Sequence, residues 1–252
     1  MFIDAHCHLD RLQDSDLRTV LRAAAEARVE KAVSCSTNVL SIGMHLDIAR
    51  DFEAVSVCLG IHPVDALSMP SAELESGKRL VEENVSAASG IGEVGLDFLH
   101  AKTMEQKKLQ IETFAFFVRL AEKNRKPVAV HSRNSDNECL ELLEKEKCKK
   151  VLLHWCTNSA ETVQTASSRG HFMSAGPAII SGKGAAAIAK RIPLELLLLE
   201  TDAPVRFSGR QSSPSWIPLV AQKIAELHNV SVSRVEDATT ANAKRLFGMK
   251  KD

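Results

Sequence analysis

The sequence predicts an α/β protein, a single (β/α)8 TIM barrel domain over residues 1–252. Three observations carry that expectation. Short apolar runs alternate with longer amphipathic ones along the chain. Eight such short runs occur, most without polar alternation, as in strands buried on both faces of a parallel sheet. The 252-residue length suits eight strand–helix units. A doubly wound sheet is the alternative, and periodicity does not separate the two.

The expected strands are FIDAH (2–6), KAVSC (31–35), AVSVCLGI (54–61), GIGEVGL (90–96), PVAVHS (127–132), KVLLHW (150–155), HFMSA (171–175) and LLLLET (196–201). Helical patterns fill the gaps. SDLRTVLRAAAEARV starts at Ser15, an N-cap residue type. EQKKLQIETFAFFVRLAEKN (105–124) sets Leu109, Phe116, Phe117 and Leu120 on one stripe. SRNSDNECLELLEKE follows His131, and PSWIPLVAQKIAELHNV and RVEDATTANAKRLFG come last. The lysines of EKEKCKK (144–150) read as a solvated helix end. GPAIISGKGAA, from Gly176, looks like a phosphate loop. Its glycines are one residue too far apart, and Gly184 stands where a magnesium-binding Ser or Thr belongs. It reads as a loop and helix start.

Lys+Arg and Asp+Glu both total 32, a net charge of zero, which argues against a protein gripping a long duplex through many phosphates. The six cysteines form no C-x-x-C pair, and no leader or long apolar span is evident. A cytoplasmic, reduced protein with no membrane association is the expectation, with most cysteines acting as small buried hydrophobes.

Chemistry concentrates at strand ends. In DAHCH, the two-residue period of a strand turns Asp4, His6 and His8 one way and Cys7 the other. Glu93 lies inside an apolar strand, where a free carboxylate costs several kcal/mol. His131, His154 and Asp202 each end an apolar run, where barrel enzymes place their sites. Four imidazoles and two carboxylates suit divalent ions such as Mg2+, Mn2+ or Zn2+. Six ligands exceed the need of one tetrahedral ion, so two metals sharing a carboxylate are expected. Such pairs, about 3.5–4 Å apart, activate a water and clamp both oxygens of a displacement. His62 in GIHPV and Arg133 in HSR are candidate phosphate-binding groups. Asp97 and Glu200 are candidate acceptors that orient ligand imidazoles, and Asp4 a brace for His6.

Taken together, DAHCHLD, GIHP, GIGEVGLDF, VHSR, LLHW, ETDAP and TTANAKRLFG resemble the TatD family of metal-dependent deoxyribonucleases, among the amidohydrolase-like barrels. The resemblance implies a (β/α)8 barrel and a two-metal phosphodiesterase. It places His6 and His8 on one metal, His131 and His154 on the other, Glu93 between them and Asp202 as a further ligand. Departures fall on positions that would line the mouth. Trp155, Cys156, Thr157 and Asn158 follow the fourth histidine where the family often has Cys-Phe. Phe98 and Val205 stand where it often has Tyr.

The expected activity is therefore a 3′–5′ exodeoxyribonuclease in which Asp202 orients or deprotonates the attacking water and Glu93 bridges the ions. DNA ends or short oligonucleotides are the expected partners, with no obligate protein partner. Trp155 or Trp216 is a candidate to stack a terminal base. A metal-dependent hydrolase of another ester or amide is the alternative, and a catalytically silent binding protein a third reading.

Overall fold

The computed structural model describes residues 1–12, 16–156 and 159–249; Ser15, Thr157 and Asn158 lie outside them. Eight strands follow one another in one sheet in chain order, the order of a (β/α)8 barrel. They are β1 (Phe2–Cys7), β2 (Val29–Cys35), β3 (Val55–Leu59), β4 (Gly90–Asp97), β5 (Val128–Arg133), β6 (Val151–Leu153), β7 (Phe172–Ala175) and β8 (Leu197–Leu199). All eight expected runs are strands, their ends shifted by at most two residues. Two compact units divide the chain, Met1–Ser34 with His154–Asp252, and Cys35–Leu153.

In the first unit, β1 pairs with β2 and β7 with β8, both parallel. The β1 register slips between Asp4 and Cys7, so Ala5 and His6 together oppose Val33. Such a bulge re-aims side chains next to functional sites. Helix α1 (Leu17–Glu26) is capped by Asp16, whose carboxylate accepts the Arg18 N–H. The later helices are α7 (Ala160–Ser168), α8 (Ala178–Ser181), α9 (Lys183–Ala189), α10 (Ile217–His228) and α11 (Val232–Phe247). The glycine-rich run from Gly176 is thus two short helices meeting at Gly182, consistent with its reading as a loop and helix start. Asn242, within TTANAKRLFG, donates from Nδ2 to the Leu194 and Leu197 carbonyls at 2.8 and 2.9 Å. It ties α11 to the entry of β8. A two-residue hairpin, β9 (Arg206–Phe207) and β10 (Arg210–Gln211), follows β8. Its turn residues Ser208 and Gly209 both have positive φ, 51° and 79°, as a primed turn requires.

In the second unit, β3–β4, β4–β5 and β5–β6 are parallel pairs. Helices α2 (Val39–Asp51), α3 (Pro63–Ser68), α4 (Ser71–Asn84), α5 (Met104–Asn124) and α6 (Asp136–Lys145) cover them. Thr103 and Gln106 form a capping box at the start of α5, and Arg125 ends it with φ 56°. The buried face of α5 includes Gln110, Thr113, Phe114, Phe117, Val118 and Leu120, whereas Leu109 and Phe116 sit at its margin. Phe117 and Leu120 of the expected stripe are buried, and the buried face is rotated by about a residue towards Gln110. Phe114 and Phe117 are nearly fully buried, a contribution of about 1.5–3 kcal/mol each. The EKEKCKK lysines are exposed at and beyond the end of α6.

All six cysteines are free and buried. Among the described residues, no helix is long and apolar enough to cross a membrane.

Candidate functional site

In the first unit, the C-terminal ends of β1 and β8 meet. The Asp202 N–H donates to the His6 carbonyl at 3.0 Å, and the His8 N–H to the Ala203 carbonyl at 2.6 Å. Asp202 Oδ1 lies 3.6 Å from His6 Nε2 and 3.3 Å from His8 Nε2. The His6 ring stacks on His154 with centroids 3.9 Å apart and meets His8 edge-on at 5.0 Å. One donor atom each from His6, His154 and Asp202 lies within 4.8 Å of the others. Burial opposes the Asp202 charge, but His8 beside it and the fields of His6 and His154 hold its carboxyl below the usual range.

Behind these groups stand two buried carboxylates. Asp4 accepts the Thr201 N–H at 3.0 Å, the Thr201 hydroxyl at 2.5 Å and the His6 N–H at 3.3 Å. It clips the backbone of β1 to the residue before Asp202. Burial raises its carboxyl to about 8, against the pull of Thr201 and the His6 amide. Glu200 Oε2 accepts the Ser174 hydroxyl at 2.5 Å and lies 3.8 Å from His154 Nδ1. Burial lifts Glu200 to about 7; His154 opposes this and Asp202 adds to it. The Cys7 thiol donates to the Val33 carbonyl at 3.4 Å, and Cys7 contributes no donor to this cluster.

In the second unit, the register of β4 against β5 slips between Ile91 and Val94. Gly92 and Glu93 thus oppose Ala129 alone, a second bulge, here at a candidate ligand. Glu93 Oε1 lies 2.9 Å from His131 Nδ1 and 3.5 Å from His62 Nε2, and the two imidazoles approach to 3.3 Å. These three residues also offer donor atoms within 4.8 Å of one another. His62 caps α3 through Nδ1, which accepts the Val64 N–H at 3.2 Å, so Nε2 is the nitrogen turned to Glu93. Asp97 Oδ2 lies 3.2 Å from His131 Nε2 and Oδ1 lies 3.0 Å from His100 Nδ1. Burial opposes the His131 charge, yet Asp97 and Glu93 raise its pKa to about 9. Burial likewise opposes the Asp97 charge, but His131 and His100 hold its carboxyl well below the usual range. Arg133 ends β5 with an exposed side chain two residues after His131.

Three supporting residues escape a reading by motif. Gln110 accepts the Asp97 N–H at 2.9 Å and donates to the Pro63 carbonyl at 3.0 Å, coupling the end of β4 to α3 beside His62. His100 shares Asp97 with His131. Ser174 accepts the Trp155 N–H at 3.1 Å while donating to Glu200. A polar residue on an apolar helix stripe, as at Gln110, is the signal that could have exposed the first. The other two lack any local signature.

The donor chemistry fits divalent cations. Asp202 Oδ1 and Glu200 Oε1 are buried and accept no hydrogen bond among the described residues, a state that costs several kcal/mol without a cation or proton. Imidazole nitrogens and carboxylate oxygens converge in each unit, the imidazoles suiting zinc-type ions and the carboxylates harder ones such as manganese or magnesium. In the second unit His131 is fixed between Glu93 and Asp97.

Comparison with known proteins agrees with this chemistry. A family model described as TatD related DNase matches residues 3–248. The chain is 32% identical to an uncharacterized metal-dependent hydrolase, YabD of Bacillus subtilis, covering 98% of this chain and 99% of that one. It is also 32% identical to the human protein named deoxyribonuclease TATDN3, over 97% and 94% of the two chains. The crystal structure of YjjV, a TatD homologue from Escherichia coli, superposes with a TM-score of 0.89 at 25% identity, covering 99% of this chain and 98% of that one. With strand order, clustered donors and sequence in agreement, the chain belongs to the TatD family.

Proposed function

We propose that this TatD-family metal-dependent hydrolase is a phosphodiesterase, a 3′–5′ exodeoxyribonuclease working with two divalent ions, in the cytoplasm. The observation that carries the reading is the pair of imidazole–carboxylate clusters, His6/His154/Asp202 and His62/Glu93/His131, both at strand C-terminal ends. The deoxyribonuclease name of the human relative supports the substrate class.

His6, His8, Glu93, His131, His154 and Asp202 are the proposed ligands. Divalent ions held by these residues would supply Lewis acidity towards water and towards phosphate oxygens. Asp202, kept ionised by the flanking imidazoles, orients the attacking water and takes its proton. Arg133 contributes an exposed guanidinium whose fork matches a phosphate, and His62 Nε2 would contact the phosphate or an ion. Asp97 holds the His131 ring, Glu200 faces His154, and Asp4 fixes the backbone that carries His6 and Asp202. A net charge of zero suits a grip on a few nucleotides at a strand end.

Digestion of end-labelled single-stranded and duplex DNA with Mg2+, Mn2+ or Zn2+ tests the proposal. Release of a 3′ label as mononucleotides is expected. Uniform internal cutting would replace the exonuclease reading with an endonuclease one. Turnover of cyclic amides alone, with DNA untouched, would overturn the substrate class.

A further inference from the structure

The first unit carries an aromatic feature that metal chemistry does not use. Trp155 directly follows the candidate ligand His154 and is only part-buried. Its φ is 45°, the left-handed region that bulky side chains avoid. Its N–H is fixed by Ser174 Oγ, the hydroxyl that also holds Glu200. The Trp155 ring lies against Phe207, with centroids 5.3 Å apart and planes 33° from parallel. Phe207 is likewise part-buried.

Phe207 sits on the β9–β10 hairpin, which is tethered to the same site. The Val205 N–H donates to the Asp202 carbonyl at 3.0 Å, and the Ser212 N–H to the Val205 carbonyl at 3.0 Å. The hairpin therefore starts from a candidate metal ligand, as Trp155 does. From Val205 to Ser212 it carries two arginines and no acidic residue. Both arginines are exposed. Arg206 Nη1 donates to the Gly209 carbonyl at 3.2 Å, and Arg210 lies 5.5 Å over the Trp216 ring.

An apolar core has no use for a strained tryptophan paired with an aromatic on an exposed basic hairpin. A nucleotide has a use for each part. Aromatic pairs at this spacing accept a further flat ring in offset stacking, every nucleobase offers such a ring, and arginines complement the adjoining phosphates. We propose that Trp155 and Phe207 form a stacking platform for the terminal base of a single strand whose scissile phosphate lies at the neighbouring His6/His154/Asp202 cluster. This rests on the nucleic-acid reading above. The platform sets preference for a base-bearing end without reading which base it is.

Two single-stranded oligonucleotides test it, identical except that the 3′-terminal nucleotide of one lacks its base. The readout is the ratio of kcat/KM for the base-bearing end to that for the base-free end. The Trp155→Ala variant is expected to shrink the wild-type ratio about tenfold, chiefly through KM. Phe207→Ala should shrink it less, and Trp155→Phe should restore most of it. An unchanged ratio in both alanine variants overturns the platform. Fluorescence provides an activity-independent reading. The chain has two tryptophans, so Trp216→Phe leaves Trp155 as the only indole. With chelator present, its emission should be quenched by a single-stranded oligonucleotide and not by a base-free sugar–phosphate chain. Equal quenching by both, or none by either, counts against the platform. If the wild type cleaves neither oligonucleotide yet the base-selective quenching appears, the exonuclease reading fails and the platform stands.

Discussion

At the residue scale, the first unit is organised around Asp202. It is buried, faces three imidazoles and sits at a positive φ of 48° immediately after Thr201. Replacement by Asn preserves shape but removes the proposed base and an anionic donor. Asp202→Asn is expected to lower kcat at least about 100-fold while circular dichroism stays native. His6→Ala should abolish hydrolysis with the fold retained. Full activity in either variant would sink the assignment of this cluster. Thr201 belongs to the same design, since it donates twice to Asp4, a carboxylate 0% exposed. Thr201→Val removes the hydroxyl donor and is expected to cost about 1–3 kcal/mol in a denaturant titration.

At the element scale, β4 and β5 act together because glycine lets them approach. Gly95 has φ +147°, and a Cβ there would fall onto the His131 carbonyl oxygen. Gly95→Ala should force these strands apart, lowering stability by about 3 kcal/mol and disturbing the Glu93–His131 contact. A melting temperature equal to wild type would contradict that account. The entry to β7 is a different case. His171 is 3% exposed, and neither ring nitrogen has a hydrogen-bond partner among the described residues. Burial, with Arg169 adding to it, lowers its pKa to about 4. The unfolded imidazole protonates near 6.5, so below that pH the unfolded chain binds the extra proton. Stability is then full above about pH 6.5 and declines as pH falls towards 4, by up to about 3 kcal/mol from this residue. Replacing His171 with Leu should flatten that part of the pH–stability curve and leave stability near pH 7.5 unchanged or higher. An equally steep acid decline in the variant would show that other groups dominate it.

At the scale of the whole molecule, metal and fold are linked. Each unit concentrates imidazoles and carboxylates at strand ends, where burial makes their charges costly. Ions that bind only the folded chain add RT ln(1 + [L]/Kd), about 2.7 kcal/mol at a hundredfold excess over Kd. For a chain of 252 residues that corresponds to roughly 5–10 °C in Tm. Manganese or zinc should raise the Tm by that amount and chelator reverse it, read by scanning calorimetry. A Tm insensitive to both would mean that the clusters do not hold ions under those conditions.

The sequence by itself determined the strands, their alternation with helices along the chain, and the residue types at their ends. These follow from local periodicity and from the cost of placing His6, Glu93, His131, His154 and Asp202 in apolar runs. Tertiary structure decided what periodicity does not encode. The bulges at Ala5–His6 and Gly92–Glu93 depend on how a neighbouring strand packs, not on alternation within one strand. Gln110 turned inward because the Asp97 amide and the Pro63 carbonyl needed partners, and unmade buried hydrogen bonds are costly. Asp4 found Thr201 across 197 positions of sequence. His62, a phosphate-binding candidate in the sequence, stands with Glu93 and His131 as a third donor because capping α3 consumes its Nδ1. Residue chemistry at strand ends is written locally, but which of those residues share a charge is settled only when distant segments pack and exclude water.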